Sequence, residues 1–349
     1  MSAGTVRIGT LELPRDGEVV VIAEAGVNHD GDPALAHRLV DVAADAGADA
    51  VKFQTFDPDR LVSAAADATP YQRARGSASD QHSLLAALTL PSSVWAELRD
   101  HAADRGTQFL STPFDLGSAE LLVGLGVPAL KVSSGELTNT PFLRELSGFG
   151  VPLLVSTGMG SAAEVAAAVE ACTQAPGIVL FHCVSAYPAP LEQCNLRAIP
   201  AMAAAHGLPV GWSDHTTGLT SALGAVALGA SVLEKHVTTD RTRPGPDHAA
   251  SLEPEALATY VEQCRALAGA LGDGVKRRVP AEEENAGLVR RSWHAARHLA
   301  AGSVLDADDL VLLRPEGGAA PSRSRVGRTV LATVQAGAPV RPEDVEGEP

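Results

Sequence analysis

The sequence predicts a (β/α)8 TIM barrel followed by a small β-rich domain. From residue 19 onwards, short β-branched or apolar runs alternate with turns and with Ala-rich helical stretches such as PALAHRLVDVAADAG. Strands that alternate with helices pair in parallel, and eight such units in about 250 residues suit a barrel. An open doubly wound sheet is the alternative, but no Gly-x-Gly-x-x-Gly follows the first strand. The strand-like runs are VVVIAE, AVKFQT, TQFLST, ALKVSS, VPLLVST, IVLFHCV, PVGWSDH and SVLEKHV.

A charged stretch separates the predicted barrel from the tail. GDGVKRRVPAEEENAGLVRRS breaks the strand–helix rhythm and is only weakly periodic, which is typical of a linker. We therefore expect a barrel over residues 1–274, a linker over 275–291 and a small domain over 292–349. In the tail, AAGSVLDADDL and QAGAPVRPEDV resemble each other and indicate an internal repeat. So short a domain buries little surface, and we expect it to depend on a partner.

Composition excludes several classes of protein. The 349 residues carry a net charge of −15, which disfavours a nucleic-acid-binding protein because such proteins usually present a basic stripe. No apolar run reaches the roughly 20 residues needed to span a bilayer, and no signal peptide is apparent. Four cysteines without paired spacing favour a reduced, cytoplasmic protein and argue against a zinc cluster.

Polar side chains end all eight predicted strands. A single Ser or Thr there commonly caps the next helix, and a lone strand His is more often a hydrogen-bonded core residue than a ligand. The conjunction is more informative, because a barrel brings these ends together on its catalytic rim. The residues are Glu24, Lys52, Gln54, Ser111, Thr112, Lys131, Ser133, Ser134, Glu136, Ser156, Thr157, His182, Tyr187, Ser213, Asp214, His215, Glu234, Lys235 and His236.

These side chains fall into chemical groups. Two lysines and several hydroxyls near Gly turns predict an anion site, suited to a phosphate and a carboxylate. His215 and His236 end adjacent strands, and two imidazoles with oxygen ligands suit a divalent metal such as Mn²⁺ or Zn²⁺. Glu24 and Glu136 are acid/base candidates. Asp247, in the Pro- and Gly-containing loop RTRPGPDH, is a candidate for accepting hydrogen bonds from a polyol.

The ordered motifs resemble the N-acetylneuraminate (sialic acid) synthase family, which includes the legionaminate and pseudaminate synthases. The similarity runs from about residue 6 to the C-terminus, where the tail resembles the antifreeze-like SAF domain of these enzymes. The motifs are VIAEAGVNHDG, AVKFQTF, FLSTPFD, KVSSGE, VSTGMG, FHCVSAYPAP, GWSDHT and LGASVLEKHVTTDRTRPGPDH.

The resemblance implies a PEP-dependent transferase that joins phosphoenolpyruvate to an open-chain N-acylated hexosamine, giving a nine-carbon 2-keto acid and phosphate. It implies that His215 and His236 bind the metal, usually Mn²⁺. Glu136 would lie near the reacting carbons, and Arg314 would reach the sugar of a partner subunit in a domain-swapped homodimer. Phosphoenolpyruvate would be held by Lys52, Thr112, Lys131, Ser134, Ser156 and Ser213, and the sugar by Glu24, Gln54, Tyr187 and Asp247.

Some details depart from the family pattern and leave alternatives open. The turn reads NHDG where NHNG is common, and Ser185 stands where some sialate synthases have Asn. The acceptor resembles N-acetylmannosamine, with a 2,4-diacetamido-6-deoxy hexose as the legionaminate-type alternative. Two other classes are a barrel aldolase using Lys52 or Lys131 as a Schiff base and a non-catalytic polysaccharide-binding protein. We expect Glu234 to support the metal site and Lys235, on the opposite face, to be structural.

Overall fold

The computed structural model describes residues 4–14, 17–63, 80–322 and 324–347. The chain forms two compact units, Met1–Asp273 and Gly274–Pro349. Within the described ranges, no helix is both long and apolar enough to cross a membrane.

The first unit is a closed barrel of eight parallel strands, as the alternating pattern predicted. The strands follow chain order around the barrel, and β10 pairs with β3 to close it. The barrel strands are β3 (Val20–Gly26), β4 (Ala50–Thr55), β5 (Gln108–Pro113), β6 (Leu130–Val132), β7 (Leu153–Ser156), β8 (Ile178–Cys183), β9 (Val210–Asp214) and β10 (Val232–His236).

A hairpin that the strand pattern did not predict precedes the barrel. Strands β1 (Val6–Ile8) and β2 (Leu11–Leu13) pair antiparallel, and their apolar residues are buried while the central residue of each is exposed. These apolar residues cluster with the inward-facing residues of the lower barrel, such as Val20, Ala50 and Val232. The hairpin therefore closes the end of the barrel at which the strands begin.

Helices cover the outside of the barrel. Side-chain caps fix several of their starts: Asp32 accepts from the Ala34 amide at 2.8 Å, and Ser161 forms a capping box with Glu164. The helices of this unit are α1 (Pro33–Asp45), α2 (Pro58–Leu61), α3 (Gln81–Ala87), α4 (Ser92–Asp104), α5 (Leu116–Gly124), α6 (Thr140–Ser147), α7 (Ala162–Ala171), α8 (Ala198–His206), α9 (Thr220–Ala227) and α10 (Pro254–Leu271).

Alternation along each strand separates two environments. On β10, Leu233 and Lys235 face outwards to the helices, while Val232 lies among the inward apolar residues. Glu234 and His236 share the inward face above Val232 because side chains alternate along a strand. The same alternation on β9 turns Trp212 outwards and Ser213 inwards. The inward face is thus apolar where the strands begin and polar where they end.

The second unit is small and β-rich. It contains α11 (Glu283–Val289), within the stretch predicted as a linker, and the antiparallel pair β11 (Ser292–Ala295) and β12 (Leu310–Leu313). The predicted repeat has a structural counterpart. Gly302 and Gly337 both adopt positive φ, and a short 3-10 turn follows each of them. The core residues are Ala295, Leu299, Leu305, Leu310, Val330, Val334, Val340 and Val345.

Candidate active site

The polar strand ends line one cavity of about 700 Å³ at the carboxyl end of the barrel. Twelve of the fourteen residues predicted to carry function lie on its wall, since each is the inward residue of a strand end or of the loop that follows. They are Glu24, Lys52, Gln54, Thr112, Lys131, Ser134, Ser156, Tyr187, Ser213, His215, His236 and Asp247.

A buried cluster of two carboxylates and one ammonium forms part of the cavity wall. Lys52 Nζ lies 2.6 Å from Glu24 Oε2 and 3.8 Å from Glu234 Oε1, and it donates to Thr112 Oγ1 at 3.0 Å. Gln54 donates to Glu24 Oε1 at 3.1 Å. Burial raises the pKa of Glu24 to about 7, against the opposing effect of Lys52. Glu24 can therefore exchange a proton near neutral pH.

Lys52 and Glu234 stay charged in this cluster. Burial would lower the pKa of Lys52, but the Glu234 and Glu24 carboxylates outweigh it and the pKa is raised. Burial would likewise raise the pKa of Glu234, but Lys131 and Lys52 outweigh it and the pKa is lowered. Glu234 Oε2 has no hydrogen-bond partner among the described residues, although the atom is buried. An unpaired buried carboxylate oxygen is suited to a bound ligand.

Lys131 also lines the cavity, and its surroundings differ from those of Lys52. Its Nζ donates to the Val132 carbonyl at 3.1 Å and to Ser156 Oγ, and lies 5.2 Å from the centre of the Phe181 ring. Burial lowers the pKa of Lys131, with Glu234 opposing. Beside it, the Gly158 amide donates to Ser134 Oγ at 3.1 Å. A lysine and hydroxyls thus meet in one corner of the cavity, which is the chemistry that an anion would need.

Gly158 is required by the packing of this corner. A Cβ placed there would lie 2.3 Å from Ser185 Oγ, 2.8 Å from Ser134 Oγ and 2.9 Å from Cys183 Sγ. These three side chains can approach the backbone only because residue 158 has none. The glycine therefore lets the end of β7 come close enough to β6 and β8 to form one corner of the cavity.

His215 and His236 face each other at the ends of β9 and β10. Their ring centres are 5.6 Å apart, and the Tyr187 ring lies 4.2 Å from the first and 5.7 Å from the second. His215 Nδ1 donates to the Val184 carbonyl at 2.7 Å, which makes Nε2 an acceptor, and Nε2 lies 3.4 Å from Ser213 Oγ. His236 Nδ1 is buried and has no hydrogen-bond partner among the described residues. Burial lowers the pKa of both imidazoles, so both are neutral at pH 7.

Two neutral, converging imidazoles fit a divalent metal. A backbone carbonyl that fixes the tautomer of His215 is the usual support for a metal-binding histidine. In the part of the chain that the structure describes, no three His, Cys, Asp or Glu side chains are grouped to hold one ion. A metal held by His215 and His236 would therefore take its other ligands from water or substrate.

Asp247 enters the cavity from the loop after β10. Its carboxylate Oδ2 lies 3.8 Å from His236 Nδ1 and near the Glu24 and Gln54 side chains, since a Cβ on Gly26 would contact all three. Burial raises the pKa of Asp247 to about 6. The Asp247 carboxylate is thus placed beside the His236 imidazole and near Glu24 and Gln54.

Two predicted residues lie elsewhere. Glu136 does not line the cavity, because its carboxylate accepts from Asn139 Nδ2 at 2.7 Å in the turn that starts α6. Arg314 belongs to the second unit, where its side chain is exposed. The glutamate that lines the cavity besides Glu24 is Glu234, which the sequence placed only in a supporting role. Its position two residues before His236 is the signal that marks it.

Lys235 is structural, as its face on β10 predicted. It is fully buried on the outer side of the barrel, 3.4 Å from Asp214 Oδ2, and donates to the Thr216 carbonyl at 2.5 Å. Tyr260 donates to the same carboxylate oxygen at 3.4 Å. This pair joins the strands that carry the two imidazoles.

Sequence reasoning missed an apolar wall on one side of the cavity. Val27, Phe56, Leu61, Leu85 and Phe114 line it and form a small apolar cluster with Leu84 and Leu88. These residues lie in loops and short helices, where no strand periodicity marks which face they occupy.

Comparison with known proteins agrees with the fold. The NeuB family matches residues 39–276, and the SAF domain matches residues 290–346. The chain is 42% identical over 335 residues to the N,N'-diacetyllegionaminic acid synthase of Legionella pneumophila, covering 93% of this chain and 94% of the relative. It is 34% identical to the N-acetylneuraminate-9-phosphate synthase of Homo sapiens, covering 90% and 89%. The crystal structure of the N-acetylneuraminic acid synthetase of Leptospira borgpetersenii aligns with a TM-score of 0.72 at 32% identity, covering 81% of this chain and 95% of that one.

The fold and the cavity define a TIM-barrel enzyme with a C-terminal SAF domain, of the transferase class. The chain belongs to the NeuB family. Members named among its relatives include legionaminic, pseudaminic and sialic acid synthases.

Proposed function

We propose that this enzyme condenses phosphoenolpyruvate with the aldehyde of an open-chain acylamino sugar, releasing phosphate and a nine-carbon 2-keto acid. The observation that carries the proposal is that one cavity holds two groups of side chains. In one group, which we call the anion half, Lys131 is hydrogen-bonded to Ser156 among other hydroxyls; in the second, the acceptor half, His215, His236 and Asp247 lie near one another. The names of the relatives support this chemistry.

Phosphoenolpyruvate would occupy the anion half. Its carboxylate and phosphate need several positive or N–H and O–H groups, and Lys52 and Lys131 are fixed there before substrate arrives. Thr112, Ser134, Ser156 and Ser213 add hydroxyls. Because the two ammonium groups are buried, their attraction for the anion is stronger than it would be in water.

The sugar aldehyde would lie between the anion half and the two imidazoles. His215 and His236 would hold a divalent metal, which supplies Lewis-acid polarisation of a carbonyl oxygen when bound. Mn²⁺ is the ion we propose, because the remaining ligands would be oxygens, which Mn²⁺ prefers. Asp247, Glu24, Gln54 and Tyr187 would orient the sugar hydroxyls.

The atoms balance with one water. C3 of the enol attacks the aldehyde carbon, and the aldehyde oxygen takes a proton. Water adds to C2 and loses one proton, which balances the proton taken by the aldehyde oxygen. The bond from C2 to the phosphate oxygen then breaks, and the C2 hydroxyl gives its proton to the departing phosphate to leave the keto group. Glu24, with a pKa of about 7, is placed to take and return a proton in these steps. Glu234 stays ionised and balances the positive charge that develops at C2.

The apolar wall bears on the choice of sugar. A 2,4-diacetamido-6-deoxy hexose has three methyl groups to place against Phe56 and Phe114, whereas N-acetylmannosamine has one. Two further buried methyls are worth about 1.6 kcal/mol, or roughly tenfold in kcat/KM. We therefore propose the legionaminate-type acceptor over N-acetylmannosamine, in agreement with the name of the Legionella relative.

One observation favours a second candidate function. Burial lowers the pKa of Lys131, and a lysine with a lowered pKa is the nucleophile that a Schiff-base aldolase needs. Borohydride would trap an imine on Lys131 in that case, whereas the condensation proposed above forms none.

The deciding experiment is product mass analysis with phosphoenolpyruvate, Mn²⁺ and a panel of acylated hexoses. We expect a nine-carbon keto acid and one equivalent of phosphate, with the diacetamido-deoxy sugar preferred by about tenfold. EDTA should stop turnover and Mn²⁺ should restore it. Unchanged rates after thorough chelation, together with borohydride inactivation, would establish the aldolase instead.

The SAF unit suggests a shared active site. We propose that the chain forms a domain-swapped homodimer in which Arg314 of one subunit binds the sugar in the barrel of the other. Arg314 is exposed beside a Gly-containing turn, so its guanidinium is available to a ligand. Arg314→Ala should reduce kcat/KM for the sugar about ten- to hundredfold, since charged hydrogen bonds contribute about 1.5–3 kcal/mol, and should spare the affinity for phosphoenolpyruvate.

Mixed dimers test the swap directly. Arg314→Ala subunits combined with Lys131→Ala subunits should recover activity, because one hybrid site then has both residues. Mixed dimers that form but stay inactive would show that each tail serves its own barrel.

A further inference from the structure

Side-chain hydrogen bonds attach the turn after β3 to the loop after β10. Asp30 adopts a left-handed conformation with φ of 53°, which is uncommon for a non-glycine residue and best tolerated by Asp and Asn. This conformation directs the Asp30 carboxylate at the loop over residues 240–248. The left-handed backbone is thus tied to a specific side-chain contact, which is a frequent reason for such a conformation to persist.

Both carboxylate oxygens of Asp30 are engaged by that loop. Arg243 donates to Oδ2 from Nε at 3.0 Å and lies 2.8 Å from it through Nη2, and His248 Nε2 donates to Oδ1 at 2.9 Å. His248 is fully buried, and its Nδ1 lies 2.7 Å from Thr238 Oγ1 at the end of β10. These contacts lower the pKa of Asp30 although burial opposes them, so the carboxylate is charged at neutral pH.

The backbone around the contact is fitted to it. Gly245 has φ of 151°, and a Cβ there would lie 2.7 Å from His248 Cδ2 and 3.2 Å from Asp30 Oδ1. The loop therefore passes directly over the Asp30–His248 contact. On the other side, Asn28 donates to Ser251 Oγ at 2.8 Å, and Ser251 donates to the Asp247 carbonyl at 2.7 Å.

Asp247 lies between these two attachments. It precedes His248 directly, and Ser251 holds its carbonyl from the far side. Its own carboxylate has a longer contact, 3.8 Å to His236 Nδ1. The direction of Asp247 into the cavity is therefore set by the loop, and Asp30 holds that loop directly, before Asp247 through Arg243 and after it through His248.

We infer that Asp30 is a positioning residue for the acceptor half of the site. It acts through Arg243 and His248 to hold Asp247 against the sugar, and it has no role in the anion half. The inference rests on the proposed function, in which Asp247 binds the acceptor. Asp30 itself does not line the cavity.

Kinetics of Asp30→Asn separate positioning from general stability. Asn tolerates the left-handed backbone but lacks the charge. The turn should therefore keep its conformation, while its hydrogen bonds to Arg243 and His248 weaken. We expect the KM for the acceptor to rise roughly tenfold, as loss of charged hydrogen bonds predicts, with the KM for phosphoenolpyruvate changed less than twofold. Arg243→Met should raise the KM for the acceptor by a similar factor. The double variant should raise it no further than the more affected single variant, because both substitutions remove the same contact.

The matched control is Asp32→Asn. Asp32 lies in the same turn, but its carboxylate only caps α1, and Asn caps helices equally well. Both KM values should stay unchanged in this variant. Asp30→Asn kinetics that match those of Asp32→Asn, or a loss shared equally between both substrates, would overturn the inference.

A second measurement does not depend on turnover. Hydrogen exchange of the amides of residues 240–252 should accelerate in Asp30→Asn and stay unchanged in Asp32→Asn, with exchange in β4–β8 unaltered. If loop exchange accelerates in Asp30→Asn but the unaltered enzyme forms no product, the attachment of the loop by Asp30 stands and the proposed reaction is rejected. Unchanged loop exchange in Asp30→Asn would show that Asp30 does not hold the loop, which overturns the inference.

Discussion

Replacing His236 or His215 with Ala is expected to reduce kcat by about a thousandfold or more and to abolish stoichiometric metal binding. A metal that polarises a carbonyl supplies several kcal/mol of transition-state stabilisation, and each 1.36 kcal/mol is a factor of ten. Among the described residues that line the cavity, only these two are histidines, so losing one leaves a single imidazole ligand. Elemental analysis, circular dichroism and initial rates together measure the effect.

His182→Ala is the matched control for the histidine variants. His182 lies on neighbouring β8, donates from Nε2 to the Cys194 carbonyl at 2.8 Å and packs on Trp212, outside the cavity. Its loss should reduce thermal stability and leave the metal content intact. Full activity with full metal content in His215→Ala or His236→Ala would contradict the assignment of the pair.

Replacing Lys52 with Met is expected to lower the free energy of unfolding of the barrel by about 3–5 kcal/mol and to abolish phosphoenolpyruvate binding. Removing one partner of a buried ion pair leaves the other charge uncompensated. Here Glu24 loses its nearest cation, and Glu234 loses one of the two lysines that keep it ionised. Urea unfolding measures the stability, and calorimetric titration measures the binding.

The destabilisation should depend on pH with a defined sign. Burial already raises the pKa of Glu24 from 4.5 to about 7, and without Lys52 it rises further. Between the ordinary pKa of 4.5 and this raised pKa, the folded state binds more protons than the unfolded state. The free energy of unfolding of Lys52→Met therefore falls as the pH rises through this range. Lys52→Met/Glu24→Gln should be more stable than Lys52→Met at pH 8. Equal stabilities at pH 8 would argue against the pair.

Lys235→Met separates the two consequences of losing a buried lysine. Lys235 pairs with Asp214 on the outer face of β10, so its removal also leaves a buried carboxylate unpaired. We expect a comparable loss of stability, while phosphoenolpyruvate still binds to the folded protein. Retained phosphoenolpyruvate binding in Lys52→Met would place the anion site elsewhere.

The sequence predicted the barrel and most of the cavity because both follow from local patterns. Strand–helix alternation defined the eight strands, and the polar strand ends meet wherever parallel strands close into a barrel. Glu136 shows the limit of this reasoning. It follows a strand end like the others, but Asn139 captures its carboxylate in the next turn, and no pattern of residue types predicts that contact.

The long-range contacts between loops were also beyond the sequence. Asp30 and His248 are separated by more than two hundred residues, and their contact depends on the left-handed turn and on Gly245. The apolar wall has the same origin, since Phe56 and Phe114 come from separate loops and meet edge to face at 6.1 Å. Such contacts are fixed by tertiary packing, whereas the identity of the strands is fixed by periodicity.

The seam between β10 and β3 has a consequence for the order of folding. In its register, His236 lies beside Glu24, although more than two hundred residues separate them in the chain. Because contacts between residues far apart in the chain form slowly, we expect this pairing to be among the later ones to form. Until β10 docks, Glu24 lacks its neighbour His236, and Lys52 and Ser213 lack Glu234. Closing the seam therefore completes the polar lining of the cavity and buries Glu234 and His236 in the same step.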